Sequence, residues 1–411
     1  MIWDILILLQ CIPLAIVGFF LAYLAGLSLL ALMGGNRKPP AATSMRKFAL
    51  VVPAHNEETV IEKTLSSLLS IDYPAEKFDV VVVADNCSDH TAEIARELGA
   101  HVYERSHETD RGKGYALRWI FEKLMDNGAG YDAYFVIDAD SIVADSLLCV
   151  LNDYMADGAR AIQCSDMVAA EPGAWNVEVT RIGFALHNYA RPLGRTVMGC
   201  PVSLYGNGMC FSAEMLREVP WQAFSLAEDL EYGLVLLLQG INVVFAPEAK
   251  VVATMPHEAD NAVSQHSRWA IGQIQLLKKY TGKLFGLSLR RLSLKPIDSW
   301  IQLIIPGFVD LMVVAMALLG LGALQWFLGI DNSGFLVTGW GAAVTLGIIH
   351  VFAGLYSSES DRHMIRAFIH FPRYALWKIL VFFKVVRQRR TQEWVRTTRE
   401  ESRVPSVSDD N

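Results

Sequence analysis

Tyr134-Phe135-Val136-Ile137-Asp138-Ala139-Asp140 is the stretch on which the reading of this chain turns. An apolar run of strand type stops at two carboxylates spaced i, i+2. On an extended segment such side chains leave the same face, so both can reach one ligand at the strand's C-terminal edge. Acids placed there have two usual uses, holding a hard divalent cation or gripping a sugar hydroxyl. A solvated turn has the same local pattern, so the neighbouring segments decide between them.

Upstream, apolar runs alternate with amphipathic ones. Phe48–Pro53 and Phe78–Ala84 read as buried strands, each followed by helical periodicity over Glu57–Leu69 and Ser88–Leu98, with a short run at His101–Tyr103. Strand–helix–strand repetition predicts a parallel sheet covered by helices, an α/β fold with ligands beyond the carboxyl ends of the strands. The residues at those ends are His55-Asn56-Glu57, Asp85-Asn86 and Asp138/Asp140. Acids converging there repel one another unless a cation or a hydrogen-bonding ligand sits among them. Asp89, next to Ser88, reads mainly as a helix cap.

Downstream candidates follow in order. Asp110-Arg111-Gly112-Lys113-Gly114 sets a lysine between glycines at a helix start, which suits a phosphate or a solvated basic turn; it lacks P-loop spacing. Gly206-Asn207-Gly208 is a tight loop where backbone can approach a ligand closely. Glu228-Asp229 opens an apolar helix. The pair suits the helix dipole, and one member could equally serve as a general base. In Gln265-His266-Ser267-Arg268-Trp269, Gln265, Arg268 and Trp269 fall on one helical face. An arginine beside an indole can hold phosphate and offer a flat surface to a sugar ring.

The ends of the chain are apolar. Of the 411 residues 52% are hydrophobic, and mean hydropathy is +0.28. Ile5–Met33 carries no charge and exceeds the roughly 20 residues needed to cross a bilayer. Arg37, Lys38, Arg46 and Lys47 follow it, which puts that end in the cytoplasm and the N-terminus outside. Ile301–Ile330 and Phe335–Tyr356 are each long enough to span, and Asp310, inside the first, is expected to face a helix or water. Phe371–Val386, with Arg373, Lys378 and Lys384, reads as an interfacial helix, and residues 276–298 as an interfacial segment. The expected order is an N-terminal span (1–35), a soluble domain (46–275), the interfacial segment (276–298), two spans (299–357) and a cytoplasmic or interfacial tail (358–411). A net charge of −7 excludes nucleic acid as the main partner. Six scattered cysteines without a Cys-x-x-Cys pair exclude a zinc site or disulfide framework.

Taken together, these stretches resemble the membrane-bound family 2 glycosyltransferases, the inverting nucleotide-sugar enzymes that include cellulose, chitin and hyaluronan synthases. The resemblance implies a GT-A type α/β domain. It implies that Pro53, Ala54 and Glu57 form the opening turn of the nucleotide-sugar site and that Asp85 contacts the nucleotide. Asp138 and Asp140 match its Asp-x-Asp, with Asp140 holding Mg2+ or Mn2+ and Asp138 turned toward the ribose. Glu228-Asp229 matches the acid pair whose second member is the base. Gln265-x-x-Arg268-Trp269 matches the motif of the membrane-bound branch, with Gln265, Arg268 and Lys113 on the donor and Trp269 beside the acceptor with Gly206, Asn207 and Gly208. Many members carry an aspartate where this chain has Ala84, which leaves that contact to Asp85. The implied donor is a UDP- or GDP-sugar. The implied acceptor is lipid-linked, membrane-embedded or a glycan, in the plasma (inner) membrane, by a chain that could act as a homo-oligomer.

Overall fold

The computed structural model describes residues 2–34, 38–170, 175–254, 259–358, 362–371 and 373–374, and only the backbone of 2–6, 259–269, 362–363 and 365–366. Two compact units are present. Residues 38–184 and 200–303 form one; 2–34, 185–199 and 304–374 form the other.

The first unit is built on one eight-stranded sheet. Its strands are β1 (Phe48–Ala54), β2 (Phe78–Asp85), β3 (His101–Arg105), β4 (Ala133–Val136), β5 (Ser141–Val143), β6 (Ala161–Val168), β7 (Met209–Ser212) and β8 (Val243–Ala253). Their spatial order is β3-β2-β1-β4-β7-β6-β8-β5. β1 pairs in parallel with β2 and β4, and β2 with β3. The expectation of a parallel sheet holds for that half and for the β6–β8 pair. β7 runs antiparallel to both β4 and β6, so the complete sheet is mixed. Phe48, Leu50, Val51 and Val52 are wholly buried because helices cover both faces, which is why β1 and β2 read as unbroken apolar runs. β8 extends past the predicted Val243–Ala246. Its register against β6 shifts between Cys164 and Ser165, and Pro247-Glu248 lies in that irregularity.

The parallel pairing aligns the carboxyl ends of β1, β2 and β4. Asn56 (φ 57°) and Asn86 (φ 52°) turn the chain sharply after β1 and β2, in the left-handed region that asparagine tolerates. β4 ends at Val136, so Asp138-Ala139-Asp140 lies in the turn leading to β5 and not on the strand. Both acids are half-buried, and Ala139 between them is buried.

In the second unit, helices Ile2–Met33, Phe308–Phe327 and Ser333–Ser357 contain the three segments that, among the described residues, are long and apolar enough to cross a membrane. The predicted span 301–330 is interrupted. A helix ends at Ile304, Ile305-Pro306-Gly307 breaks it, and the next begins at Phe308. Asp310 therefore occupies the first turn of a helix, exposed, where an acid suits the dipole, and not the middle of a span. Glycines set the packing: a Cβ on Gly339 would lie 2.6 Å from Leu14 and one on Gly347 2.2 Å from Met312. Gln10 donates to Gln325 (3.1 Å), and Ser28 meets His350 (2.7 Å). Residues 185–199, six in a π-helix and seven in the helix Arg191–Val197, belong to this unit although they lie mid-chain in sequence. The carbonyl of Leu27 lies where a Cβ of Gly194 would stand, 2.1 Å away. Of the predicted interfacial helix Phe371–Val386, all but residues 371, 373 and 374 lie outside the described residues.

Candidate active site

The Asp138–Asp140 turn is held mainly by its own backbone. Thr64 Oγ1 donates to the Ala139 carbonyl (2.7 Å), Thr254 Oγ1 to the Asp140 carbonyl (2.9 Å), and Asp138 N–H to Asn207 Oδ1 (3.1 Å). The Asn207 amide then donates to Ser141 Oγ (3.0 Å) and Asp166 Oδ1 (2.9 Å). Ser141 Oγ in turn donates to Asp140 Oδ1 (3.2 Å). Gln163 closes the network from behind, donating to the Asn207 carbonyl (2.7 Å). A network with these partners fixes the two acids before a ligand arrives.

Lys113, at the start of the helix Lys113–Asp126, reaches into this site. Its ammonium pairs with the Asp138 carboxylate and donates to the Gly206 carbonyl (2.6 Å). Burial alone would lower its pKa; Asp138, Glu228 and Asp229 outweigh that and hold it above the usual lysine value. Gly206 (φ 85°) is where the components meet. A Cβ there would stand 3.0 Å from Asp229 Oδ2 and 3.8 Å from Lys113 Nζ. Neither the backbone angle nor the space admits a side chain readily.

Asp229 lies in the first turn of the helix Glu228–Gln239, as predicted. Burial, and then the neighbouring Glu228, push its carboxyl up to about 7, against lowering by its own and the Leu230 N–H and by Lys113. A carboxylate poised near neutrality, on the same glycine as the Lys113 ammonium, suits proton abstraction. Glu228 faces Gly114, whose Cβ would lie 3.4 Å from that of Glu228.

The nucleotide acid is placed separately. Asp85, at the end of β2, accepts from Arg105 Nη1 (2.5 Å), and Arg105 also donates to the Asp110 carbonyl (2.7 Å). The acids therefore do not wait for one shared cation: Asp85 has Arg105, and Asp138 has Lys113. His55 Nδ1 meets the Asp85 carbonyl (2.7 Å), and Thr91 Oγ1 accepts from the Glu57 N–H (2.8 Å). Pro53 and Ala54 end β1 beside them. Asp89 has a structural role but is not the cap, which is His90; one residue earlier, it accepts from Thr91 N–H (3.1 Å) and Glu58 N–H (3.2 Å).

Four residues of this region escape a reading of the sequence: Arg105, Gln163, Asp166 and Glu231. Arg105 and Asp166 lie in or beside strands and are buried, where a charge runs against the apolar pattern, and that anomaly was the available signal. Burial and the charges of Asp138 and Asp140 hold the Asp166 carboxyl well above the usual range, against the Asn207 hydrogen bond. Glu231 links three segments, accepting from Ser225 N–H (3.2 Å), Lys279 (2.5 Å) and Tyr280 (3.1 Å). Lys279 and Tyr280 belong to the helix Ala259–Arg291, which also carries Gln265, Arg268 and Trp269; the side chains of those three lie outside the described residues. Gly272 of that helix packs on Ala227, the residue before Glu228, with its Cβ position 2.9 Å from the alanine's.

A divalent cation is compatible with this donor set. Asp138 and Asp140 are hard oxygen ligands, and among the described residues no group of three His, Cys, Asp or Glu forms a closed cage. Two carboxylates completed by substrate phosphate oxygens are the usual setting for Mg2+ or Mn2+.

Comparison with known proteins agrees with this fold. The solved mannosyltransferase PcManGT from Pyrobaculum calidifontis, in complex with GDP-Man and Mn2+, has the same fold (TM-score 0.51, 20% identity, covering 85% of this chain and 99% of that one). The β-monoglucosyldiacylglycerol synthase of Synechocystis is 29% identical over 57% of this chain and 49% of its own length. The poly-β-1,6-N-acetyl-D-glucosamine synthase of Staphylococcus epidermidis is 24% identical over 65% of this chain and 66% of its own. The chain thus spans about half to two thirds of these curated relatives. The model of a family described as glycosyltransferase-like family 2 matches residues 46–272, more than half of the chain. The chain belongs to glycosyltransferase-like family 2, with a GT-A type domain and three long apolar helices.

Proposed function

We propose that the protein moves a sugar, with inversion, from a nucleoside-diphosphate sugar to a lipid-linked or membrane-embedded acceptor. The observation that carries this reading is the meeting of Asp229, Lys113 and Asp138 around Gly206. Asp229 takes the proton of the acceptor hydroxyl as its oxygen attacks the anomeric carbon from the face opposite the diphosphate. The bond between that carbon and the phosphate oxygen breaks, and the nucleoside diphosphate leaves with the electron pair. Lys113 stands where it can pass from Asp138 to a phosphate oxygen, and Arg268 is proposed to join it. A divalent cation held by Asp140 would supply further positive charge to the leaving diphosphate. Asp85, with Pro53, Ala54, Glu57 and Gln265, is assigned to the nucleotide sugar, and Trp269 with the Gly206–Gly208 loop to the acceptor side. The GDP-Man and Mn2+ of the archaeal structure support a nucleoside-diphosphate-sugar donor and the metal.

Three apolar helices and the similarity to a glycolipid synthase favour a single transfer to a membrane acceptor. The basic residues Arg37, Lys38, Arg46 and Lys47 after the first span favour a cytoplasmic GT-A domain with the N-terminus outside. Gln265-x-x-Arg268-Trp269 and the similarity to a poly-N-acetylglucosamine synthase support a second reading, a small processive synthase. The product separates them. Purified protein in lipid vesicles, given labelled donor, should yield one shifted lipid species. A ladder of lengths would replace the first reading with the second, and no release of nucleoside diphosphate with any donor would remove both.

A further inference from the structure

The helix Ala259–Arg291 ends in a turn that presents apolar side chains to water. Leu289, Leu292 and Leu294 are 78%, 90% and 80% exposed, within six residues of chain. Isolated exposed leucines are ordinary; three in one turn form a patch that marks an interaction surface.

The backbone of this turn sharpens the point. Leu292 has φ 47°, left-handed, directly after the helix ends. That position is normally glycine or asparagine, because a Cβ is strained there. Ser293 N–H returns to the Ser288 carbonyl (3.1 Å), and Ser288 Oγ donates to the Ser293 carbonyl (2.5 Å). This helix-ending motif usually carries an apolar contact between the two positions held here by serines. The chain therefore places a leucine where the backbone resists one, clasps the turn with hydroxyls, and leaves its apolar groups outside.

The charge around it has one sign. From Leu276 to Lys295 there are six basic residues and no acid, in a chain of net charge −7. Lys279 is committed to Glu231, and the Arg291 guanidinium lies against Gly240, where a Cβ would be 3.0 Å away. Arg290 and Lys295 remain exposed beside the leucines. Only the ten-residue helix Lys295–Ile304 and a three-residue break separate the turn from the apolar helix beginning at Phe308.

We propose that Ser288–Lys295 is a membrane wedge. Leu289, Leu292 and Leu294 enter the acyl boundary of an anionic leaflet while Arg290 and Lys295 hold its lipid phosphates. This goes beyond glycosyl transfer and does not depend on it.

Hydrogen exchange of residues 288–295 tests it on the full-length protein in nanodiscs of phosphatidylcholine with and without phosphatidylglycerol, and in amphipol without lipid. The wedge predicts amides slowed by about tenfold or more in phosphatidylglycerol discs, and less in phosphatidylcholine discs or at high salt. Leu292→Gly relieves the backbone and so retains the fold, yet should lose most of that protection. Arg290→Gln and Lys295→Gln should each weaken the phosphatidylglycerol dependence by about fivefold. Equal exchange in discs and amphipol overturns the proposal. So does protection that survives Leu292→Gly, or equal protection in lipid-free amphipol, which would point to a second copy of the chain instead.

Discussion

Removing the Lys113 ammonium should move the pH at which the enzyme becomes active. A Cβ on Gly206 would lie 3.0 Å from Asp229 Oδ2 and 3.8 Å from Lys113 Nζ, so the two charges are at most roughly 7 Å apart. At an effective dielectric of about 20, a pair at that distance interacts by about 2 kcal/mol. One pKa unit corresponds to about 1.4 kcal/mol, so Lys113→Met should raise the Asp229 pKa by about one to two units from its value near 7. The base must be ionised to act. A raised pKa therefore lowers activity at neutral pH and returns it as pH rises through the new value. The expected kcat/KM is reduced about five- to fiftyfold at pH 7 by this effect, shrinking toward pH 9.5. Loss of a phosphate contact would add a pH-independent increase in donor KM, which the profile separates from the shift. The assay is kcat/KM for the donor from pH 5.5 to 9.5 in wild type and Lys113→Met. An ascending limb at the same pH in both would refute the coupling of Lys113 to Asp229, whatever the overall loss.

Two further outcomes follow from the same geometry. Gly206→Ala places a Cβ 3.0 Å from the Asp229 carboxylate at φ 85°; it should cost about 1–2 kcal/mol of stability and lower kcat about tenfold or more, with nucleotide affinity little changed in a titration calorimeter. Glu231→Gln keeps the size but loses the ion pair to Lys279, and should cost about 1–3 kcal/mol by thermal unfolding at pH 7. Burial alone would raise the Glu231 pKa, but Lys279 and Ser225 hold it low; the stability it adds is present above the ordinary glutamate pKa and fades as pH falls through the folded value, so variant and wild type should converge in acid.

The catalytic half of the fold was legible because its chemistry is local. β1 and β2 are covered on both faces, so their apolar runs could be read without alternation, and the acids at their ends marked the working edge. Lys113 was legible from its glycines, although its ion pair with Asp138 was not. The rest depends on partners distant in sequence. β7 and β6 are antiparallel neighbours whose pairing no local pattern announces, and β8 is disguised by Pro247-Glu248 at a register shift. Segment 185–199 carries Arg191 and Arg195, both buried, which no local pattern announces. Arg105 and Glu231 were hidden for the same reason: a buried charge is intelligible only once its partner across the fold is known. Asp310, read inside the span 301–330, lies at a helix start because Pro306-Gly307 interrupts that span.

The central claim is that Asp229 is the base and not merely a helix-terminal acid. Asp229→Asn removes the proton acceptor while nearly preserving shape, so the decisive measurement pairs turnover with donor binding in one preparation. The account predicts loss of nucleoside diphosphate release by about 100-fold or more, with donor affinity within a few-fold of wild type. Normal turnover by Asp229→Asn, with donor bound as tightly as before, would contradict it.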